Sequence, residues 1–157
     1  MADVLSPERR SYAMSRIKGK DTRPELTVRR ILHAAGFRYR LHAKDLPGRP
    51  DIVLRSRKTL VFVNGCFWHG HDCHGTRLPK SNRRFWNAKI KANMARDARN
   101  LAECRRLGWR VLVVWECALR GRGRWSEAWL SREVTAWVTK DHVRVSTRHF
   151  RGKPFTA

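Results

Sequence analysis

The stretch that decides the fold reads LVFVNGCFWHGHDCH, residues 60–74. Its first part, residues 60–63, is apolar and rich in valine, which predicts a buried central β-strand. The strand leads directly into residues 65–74, which hold two cysteines, three histidines, an aspartate and two adjacent large aromatics. Soft thiolates and imidazoles so close in sequence are typical zinc ligands. The stretch therefore predicts a strand that ends in a rigid metal-binding loop.

Three residues of this loop, Cys66, His71 and Cys73, supply ligands for a structural zinc ion, which takes four ligands in tetrahedral geometry. Cys117 is the better fourth ligand, because it ends a strand that we expect beside the strand before Cys66. Cys104 is the remaining candidate, but its place inside a helix favours a small buried thiol. The alternative is that all of these are unligated loop residues.

The histidines of the loop are difficult to assign from spacing. His69 and His71 flank Gly70, so either could be the zinc ligand. His74 is too close to Cys73 to join the same ion comfortably.

The segments around the loop predict an α/β fold. Thr22 and Glu25 form a capping box at the start of one helix. A longer helical pattern places Lys89, Asn93 and Asp97 on one polar face. The expected elements are a basic arm or helix at 1–20, a helix at 22–35, a strand at 37–41, strands at 52–54 and 60–63, a helix at 82–107, a strand at 111–115, a helix at 125–139 and a flexible basic tail at 141–157. This order predicts a small mixed sheet flanked by helices in one domain, residues 21–140.

The charge of the chain indicates its partner. There are 35 Lys and Arg against 13 Asp and Glu, a net charge of +22. So large an excess attracts polyanions, which makes nucleic acid the leading partner and an anionic membrane a weak second. Residues 1–10 do not look like a secretory leader, and no apolar run approaches the ~20 residues of a membrane span. We therefore expect a cytoplasmic protein whose clustered cysteines bind metal rather than pair as disulfides.

The dipeptide Pro50-Asp51 stands at the head of a predicted strand, about ten residues before the next one. This spacing is similar to the PD…(D/E)xK arrangement of nucleases, in which a carboxylate holds a hard cation. The second strand of that arrangement carries an acid and a lysine, whereas residues 62–65 have neither. The alternative is that Asp51 only caps a turn.

Seven motifs in one order, spread over residues 8–122, are more specific than any single spacing. They are Met14-Ser15-x-Ile17, Thr22-x-Pro24-Glu25, Leu46-Pro47-Gly48-x-Pro50-Asp51, Gly65-Cys66-Phe67-Trp68-His69, Trp86-x-x-Lys89-Ile90, Asn93-x-x-Arg96-Asp97 and Gly108-Trp109-Arg110-Val111-Leu112-x-x-Trp115-Glu116-Cys117. With them the chain resembles the very short patch repair endonucleases, which nick one DNA strand beside T·G mismatches left by deamination of 5-methylcytosine.

The resemblance implies a restriction-endonuclease-like fold with a catalytic Mg²⁺ and a structural Zn²⁺. Asp51 and the main-chain carbonyl of Val63 would bind magnesium, which explains why residue 63 needs no acidic side chain. His69 would be the general base, oriented by Asp97, and Glu25 would hold a water of the magnesium ion. The zinc ligands would be Cys66, His71, Cys73 and Cys117.

The resemblance also implies how DNA is held. Phe67, Trp68 and Trp86 would wedge into the duplex beside the mismatch, and Met14 on the N-terminal arm would press from the other groove. The further residues implied in DNA binding are Asn64, Lys89 and Asn93. Family members carry a histidine where this chain has Asn64, and an amide can donate a hydrogen bond but cannot take a proton.

Simpler interpretations exist for several of these residues. Glu25 could be only a capping acid, Trp86 could belong to the core, and Asp97 could be a surface partner of arginines. Two other functions also fit the sequence, a non-catalytic zinc-containing DNA-binding module and a restriction-type endonuclease. The implied partners are double-stranded DNA with a T·G mismatch, mismatch-repair proteins and a cytosine-5 methyltransferase, and the protein is expected to be a monomer.

Overall fold

The computed structural model describes residues 6–73, 78–140 and 145–154. In chain order its elements are α1 (Pro7–Ser15), α2 (Arg23–Ala34), β1 (Arg40–Leu41), β2 (Ile52–Leu54), a 3-10 turn (Arg55–Arg57), β3 (Thr59–Asn64), α3 (Arg83–Arg106), β4 (Arg110–Trp115), α4 (Glu116–Leu119), α5 (Glu127–Thr139) and β5 (Thr147–Phe150).

The five strands form one mixed sheet in the order β1-β2-β3-β4-β5. The first three strands are antiparallel, and β3, β4 and β5 run parallel. The predicted central strand is confirmed as β3, which pairs with β2 on one side and β4 on the other. The register places Val63 opposite Val114, so the ends of β3 and β4 meet at the same edge, where Cys66 and Cys117 follow.

Two apolar layers cover the sheet, as period-2 alternation along the strands requires. In β4, Leu112 and Val114 belong to a core that includes residues of α2 and α5. Val111 and Val113 of the same strand belong to a second core, which includes Cys104 of α3. The mixed α/β prediction is therefore confirmed, with helices on both faces of the sheet.

The helix starts follow from local capping. The Thr22 hydroxyl accepts the Glu25 N–H at 3.4 Å at the start of α2, and the Ser126 hydroxyl accepts the Trp129 N–H at 3.2 Å at the start of α5. Ser6 plays the same part for α1, at 3.3 Å from the Arg9 nitrogen. Within the described ranges, no helix is long and apolar enough to cross a membrane.

One predicted strand is much shorter in the structure. The strand predicted at 37–41 is reduced to β1, because Phe37 and Tyr39 pack against the core of α2 and α5 instead of pairing. The strand predicted at 111–115 is confirmed as β4, and Cys117 lies just beyond it in α4.

The prediction of a flexible tail at 141–157 is wrong for its middle part. Residues Thr147–Phe150 form β5, which pairs in parallel with β4 and buries Phe150. The strand was missed because Arg148 and His149 make the segment look polar, and both are exposed at the sheet edge. The sheet therefore extends beyond the predicted domain limit at residue 140.

Candidate active site and metal centre

Asp51 stands immediately before β2 and follows a turn that the Arg49 N–H closes on the Leu46 carbonyl at 3.1 Å. Its carboxylate oxygen Oδ2 accepts the Val63 N–H at 2.7 Å. Both backbone groups of one strand residue point to the same side, so the Val63 carbonyl faces the side on which Asp51 lies. Burial raises the pKa of Asp51 to about 6; the Val63 hydrogen bond opposes this rise, and the charge of Glu25 adds to it. A half-buried carboxylate beside a carbonyl is a pair of hard oxygen donors that suits Mg²⁺.

Glu25 is more than a capping residue. Its backbone N–H completes the cap with Thr22, but its side chain is 2% exposed and forms an ion pair with Arg29. The imidazole of His42 lies 3.3 Å from the same carboxylate. Sequence analysis missed Arg29 and His42, although the four-residue spacing between Glu25 and Arg29 on a helix is a recognisable ion-pair signal.

His69 and Asp97 form the dyad that the family resemblance implies. The His69 Nδ1 atom lies 2.5 Å from Asp97 Oδ2, and Arg96 donates to the other carboxylate oxygen at 3.2 Å. Burial alone would raise the pKa of Asp97, but the hydrogen bonds from His69 and Arg96 outweigh it and lower that pKa. Asp97 is therefore a fixed anion that holds one ring nitrogen of His69.

A cavity of about 520 Å³ opens next to this dyad and brings Asn64, His69 and Asp97 together. Arg49 and Arg96 supply positive charge to its walls. A cavity of this character, with a histidine, two amides and two guanidinium groups, can accept a phosphodiester anion.

The sulfur and nitrogen ligand atoms of Cys66, His71, Cys73 and Cys117 all lie within 4.8 Å of one another. We call this group the cysteine–histidine cluster. Three sulfurs and one imidazole nitrogen form a soft set of four donors, the number and kind that a structural zinc ion takes. Burial raises the pKa of the Cys66 and Cys117 thiols, and a bound cation would reverse this by favouring the thiolates.

The geometry separates the alternatives that spacing left open. His71 belongs to the cysteine–histidine cluster, whereas His69 faces Asp97. Cys104 is fully buried in α3, where its thiol donates to the Pro47 carbonyl at 3.4 Å. The structure thus brings Cys117, and not Cys104, to the loop.

Two glycines allow close approaches around the cluster. Gly70 has φ of 63°, and a Cβ there would lie 2.5 Å from the Met94 sulfur on α3. Gly152, just beyond β5, donates its N–H to the Cys117 sulfur at 3.2 Å, and a Cβ there would lie 2.6 Å from the Cys117 carbonyl oxygen. Any larger side chain at either position would push the loop or the C-terminal segment away.

Phe67, Trp68 and Trp86 form an aromatic cluster with ring centroids 5.1 to 6.0 Å apart. Asn93 supports it by donating to the Trp68 carbonyl at 2.9 Å. Trp86 does not belong to the core, because Ile90 and Cys104 are the buried residues of α3. Phe85, which sequence analysis did not select, packs on Trp86 and is 60% exposed.

The remaining predicted DNA-binding residues lie at the surface. Met14 at the end of α1 is 41% exposed, and Lys89 projects from α3 and is exposed. No described contact joins Met14 to the cavity beside His69.

Comparison with known proteins identifies the family. A family model described as DNA mismatch endonuclease Vsr matches residues 2–75. The type II nicking enzyme V.XorIIP of Xanthomonas oryzae pv. oryzae is 56% identical over 123 residues, which cover 78% of this chain and 90% of that relative. The DNA mismatch endonuclease Vsr of Escherichia coli K12 is 40% identical over 138 residues, which cover 88% of each chain. The type II nicking enzyme V.NmeAIP of Neisseria meningitidis is 47% identical over 122 residues, 78% of this chain and 87% of that relative.

These matches, with the sheet and the site described above, define the protein as an endonuclease that acts on DNA. The chain belongs to the family of the DNA mismatch endonuclease Vsr.

Proposed function

We propose that the chain is a magnesium-dependent endonuclease that nicks one DNA strand beside a T·G mismatch arising from 5-methylcytosine deamination, and so starts short-patch repair. The observation that carries the proposal is the joint presence of the His69–Asp97 pair, the Asp51 carboxylate bonded to the Val63 N–H and the half-buried aromatic cluster. Each of the three supplies one part of a mismatch nicking reaction.

The first part is recognition through deformation of the duplex. Inserting the rings of Phe67, Trp68 and Trp86 between base pairs costs a few kcal/mol of unstacking, and a mismatched step costs less than a paired one. The mutual edge contacts of these rings and the Asn93 bond to the Trp68 carbonyl hold them in place before DNA arrives. Preference for a mismatch can therefore come from the deformability of the DNA.

The second part is attack by water on the phosphodiester. Asp97 accepts the Nδ1 proton of His69, which leaves Nε2 free to take a proton from the attacking water. Asn64 lines the same cavity and can donate a hydrogen bond to the phosphate. His69 is thus the single base in this arrangement, since the amide of Asn64 cannot take a proton.

The third part is charge neutralisation at the phosphate. Asp51 and the Val63 carbonyl would hold magnesium, with Glu25 close to them, and the ion would supply positive charge at the phosphate and a more acidic water. Cys66, His71, Cys73 and Cys117 would hold zinc in a closed structural site, which keeps Phe67, Trp68 and His69 on one rigid loop.

A nicking assay tests the proposal. The zinc-loaded protein is incubated with Mg²⁺ and end-labelled duplexes that differ only in a central T·G or paired T·A step, in a panel of flanking sequences. We expect a single nick in the T-containing strand of T·G duplexes. Binding of T·G duplexes without cleavage would indicate a DNA-binding module, and equal cleavage of both strands of paired duplexes would indicate a restriction-type enzyme.

A further inference from the structure

Arg29 is a buried cation that bonds several polar side chains near Asp51, the proposed magnesium ligand. It lies on α2, one turn after Glu25, and is 9% exposed. One terminal nitrogen donates to Asp21 at 2.7 Å, while the other bonds both the Glu25 carboxylate and, at 2.9 Å, the Nε2 atom of His42. The guanidinium Nε is buried without a hydrogen-bond partner among the described residues. All of the side-chain hydrogen bonds described for Arg29 are therefore made by its two terminal nitrogens.

The position of His42 follows from the sheet. It comes directly after β1, and its N–H donates to the Asp51 carbonyl at 3.1 Å, which continues the pairing of β1 with β2. Its φ of 49° lies in the left-handed region, which costs free energy for a residue with a Cβ. This backbone turn directs the ring to Arg29 and Glu25. Because a guanidinium only donates, Nε2 of His42 accepts from Arg29 and the ring is held in one tautomer.

Asp21, Glu25 and His42 have ligand atoms within 4.8 Å of one another, close enough to hold a metal ion. However, the guanidinium of Arg29 bonds all three residues. Arg29 therefore already supplies the positive charge that such a group of donors would otherwise attract.

The same charge acts on Asp51. The charges of Glu25 and Arg29 both act on the Asp51 carboxylate. Two carboxylates that share a site repel each other unless a cation lies close to them. Arg29 is such a cation, since its guanidinium bonds the Glu25 carboxylate directly.

We propose that Arg29 is a positioning residue for the nuclease site: with His42 it fixes the Glu25 carboxylate beside Asp51 and acts as a built-in cation for that pair. The inference rests on the proposed magnesium-dependent nuclease function. It predicts two separable effects of Arg29. Its hydrogen bonds should raise the nicking rate by holding Glu25 in place, and its positive charge should lower the affinity for the metal ion.

The experiment uses zinc-loaded full-length protein and two measurements at about pH 8, where carboxylates are ionised. Binding of Mn²⁺, a paramagnetic substitute for Mg²⁺ with the same preference for oxygen ligands, is followed by electron paramagnetic resonance. Nicking of a T·G duplex is followed at saturating Mg²⁺. Asp51→Asn identifies the Mn²⁺ binding that belongs to this site, because that variant should lose it.

For Arg29→Met we expect Mn²⁺ to bind roughly tenfold more tightly, because a nearby positive charge is gone. The nicking rate at saturating Mg²⁺ should fall about tenfold or more, because Glu25 is no longer held in place. A variant that is merely unfolded would not bind Mn²⁺ more tightly. Unchanged Mn²⁺ affinity, weaker Mn²⁺ binding or an unchanged nicking rate would each overturn the proposal.

Arg29→Lys separates charge from geometry, and it also serves if Arg29→Met does not fold. Lysine keeps the charge but has no fork to join Asp21 with Glu25, so we expect wild-type Mn²⁺ affinity with a reduced nicking rate. In His42→Asn, the asparagine tolerates the left-handed backbone, but its side chain is too short to reach Arg29. This variant should also keep wild-type Mn²⁺ affinity and nick more slowly. Wild-type nicking rates in both variants would contradict the positioning role.

Arg30→Met is the matched control. Arg30 is the next residue of α2, and its side chain is 69% exposed, so the same loss of charge occurs away from Glu25. Both measurements should stay at wild-type values in this variant. If the wild-type protein does not nick T·G duplexes but the Mn²⁺ shift of Arg29→Met is present, the nuclease proposal fails and the charge arrangement stands.

Discussion

His69 and Asp97 are joined by a contact of 2.5 Å between Nδ1 and Oδ2, although 28 residues separate them in the chain. The contact links the loop of the cysteine–histidine cluster to the middle of α3. It fixes the ring of His69 with Nε2 directed away from Asp97, so the orientation of the proposed base depends on a single carboxylate.

Replacing Asp97 by Asn should therefore lower the nicking rate by about a hundredfold while DNA affinity is retained. The amide can present its N–H to the ring and favour the wrong tautomer. Glu103→Gln, at an exposed position of the same helix, is the control and should nick normally. Single-turnover nicking of a T·G duplex is the measurement, and a normal rate in Asp97→Asn would remove Asp97 from the mechanism.

The stability of the protein at acid pH should report the same contact. The pKa of Asp97 is lowered below its ordinary 3.8, so its stabilising contribution is complete above that value and is lost as the pH falls through the lowered pKa. Thermal unfolding followed from about pH 6 to about pH 2.5 should show this loss in wild type. In Asp97→Asn this part of the pH dependence should be absent; identical profiles would contradict the ion pair.

The pH dependence of stability that comes from Asp51 should have the opposite sign. Its folded-state pKa of about 6 is above the ordinary 3.8, so the folded protein holds this proton more tightly than the unfolded chain does. Stability from this group is present below about pH 4 and is lost as the pH rises to about 6. Asp51→Asn should abolish nicking and yet be more stable than wild type at neutral pH, by about 1–2 kcal/mol.

Urea unfolding without added Mg²⁺ measures this difference. At about pH 4 the two proteins should have similar stability, because the carboxyl is then largely protonated in the folded state. A variant that is less stable than wild type at neutral pH would show that Asp51 is a structural cap.

The cysteine–histidine cluster predicts a contrast between two cysteines. Cys117→Ser should lower the zinc content from one ion to none and reduce the melting temperature by roughly 10 °C. Cys104→Ser, at a buried thiol outside the cluster, should keep the zinc. Zinc is measured by elemental analysis of the purified proteins, and full zinc content in Cys117→Ser would refute the ligand set.

The aromatic cluster predicts a loss of affinity for T·G duplexes when one of its rings is removed. Trp86→Ala should weaken binding to T·G duplexes by about ten- to a hundredfold, since stacking of one base on an aromatic ring contributes about 1–3 kcal/mol. Phe85→Ala removes only a neighbouring edge contact and should weaken binding less. Fluorescence anisotropy of labelled duplexes gives both affinities. Equal losses in the two variants would contradict a wedge centred on Trp86.

Local sequence signals predicted much of this fold, because α1, α2 and α5 begin at hydroxyl caps and the central strand is an apolar run. Local signals did not predict β5. Its residues Arg148 and His149 are exposed, and its single buried residue, Phe150, is positioned by the pairing of β5 with β4. Long-range pairing of that kind leaves little periodic pattern in four residues.

Some residues of the candidate site could likewise be predicted from the sequence, and others could not. Spacing indicated Cys66, His71 and Cys73, and the resemblance supplied the roles of Asp51 and Asp97. The surroundings of Glu25 were not predicted, because His42 reaches Arg29 only through a left-handed turn and the antiparallel pairing of β1 with β2. Such a contact depends on the assembled sheet and not on any local motif.

Gly152→Ala should loosen the metal centre without removing a ligand. A Cβ at this position would lie 2.6 Å from the Cys117 carbonyl oxygen, so the C-terminal segment must move and its N–H bond to the sulfur is lost. Zinc should be released to a colorimetric chelator about ten times faster than from wild type. Gly19→Ala, at a glycine with open space around it, is the control. An unchanged release rate in Gly152→Ala would contradict the coupling.

The bond between Gly152 and Cys117 also has a consequence for the order in which the protein is made. The two residues are 35 positions apart, so the four side chains of the cysteine–histidine cluster leave the ribosome before Gly152 does. At about 5–20 residues per second, this interval lasts roughly 2–7 seconds. If the cluster binds the proposed metal, translation speed would therefore set a period in which the nascent chain can take it up before the Gly152 N–H reaches the Cys117 sulfur.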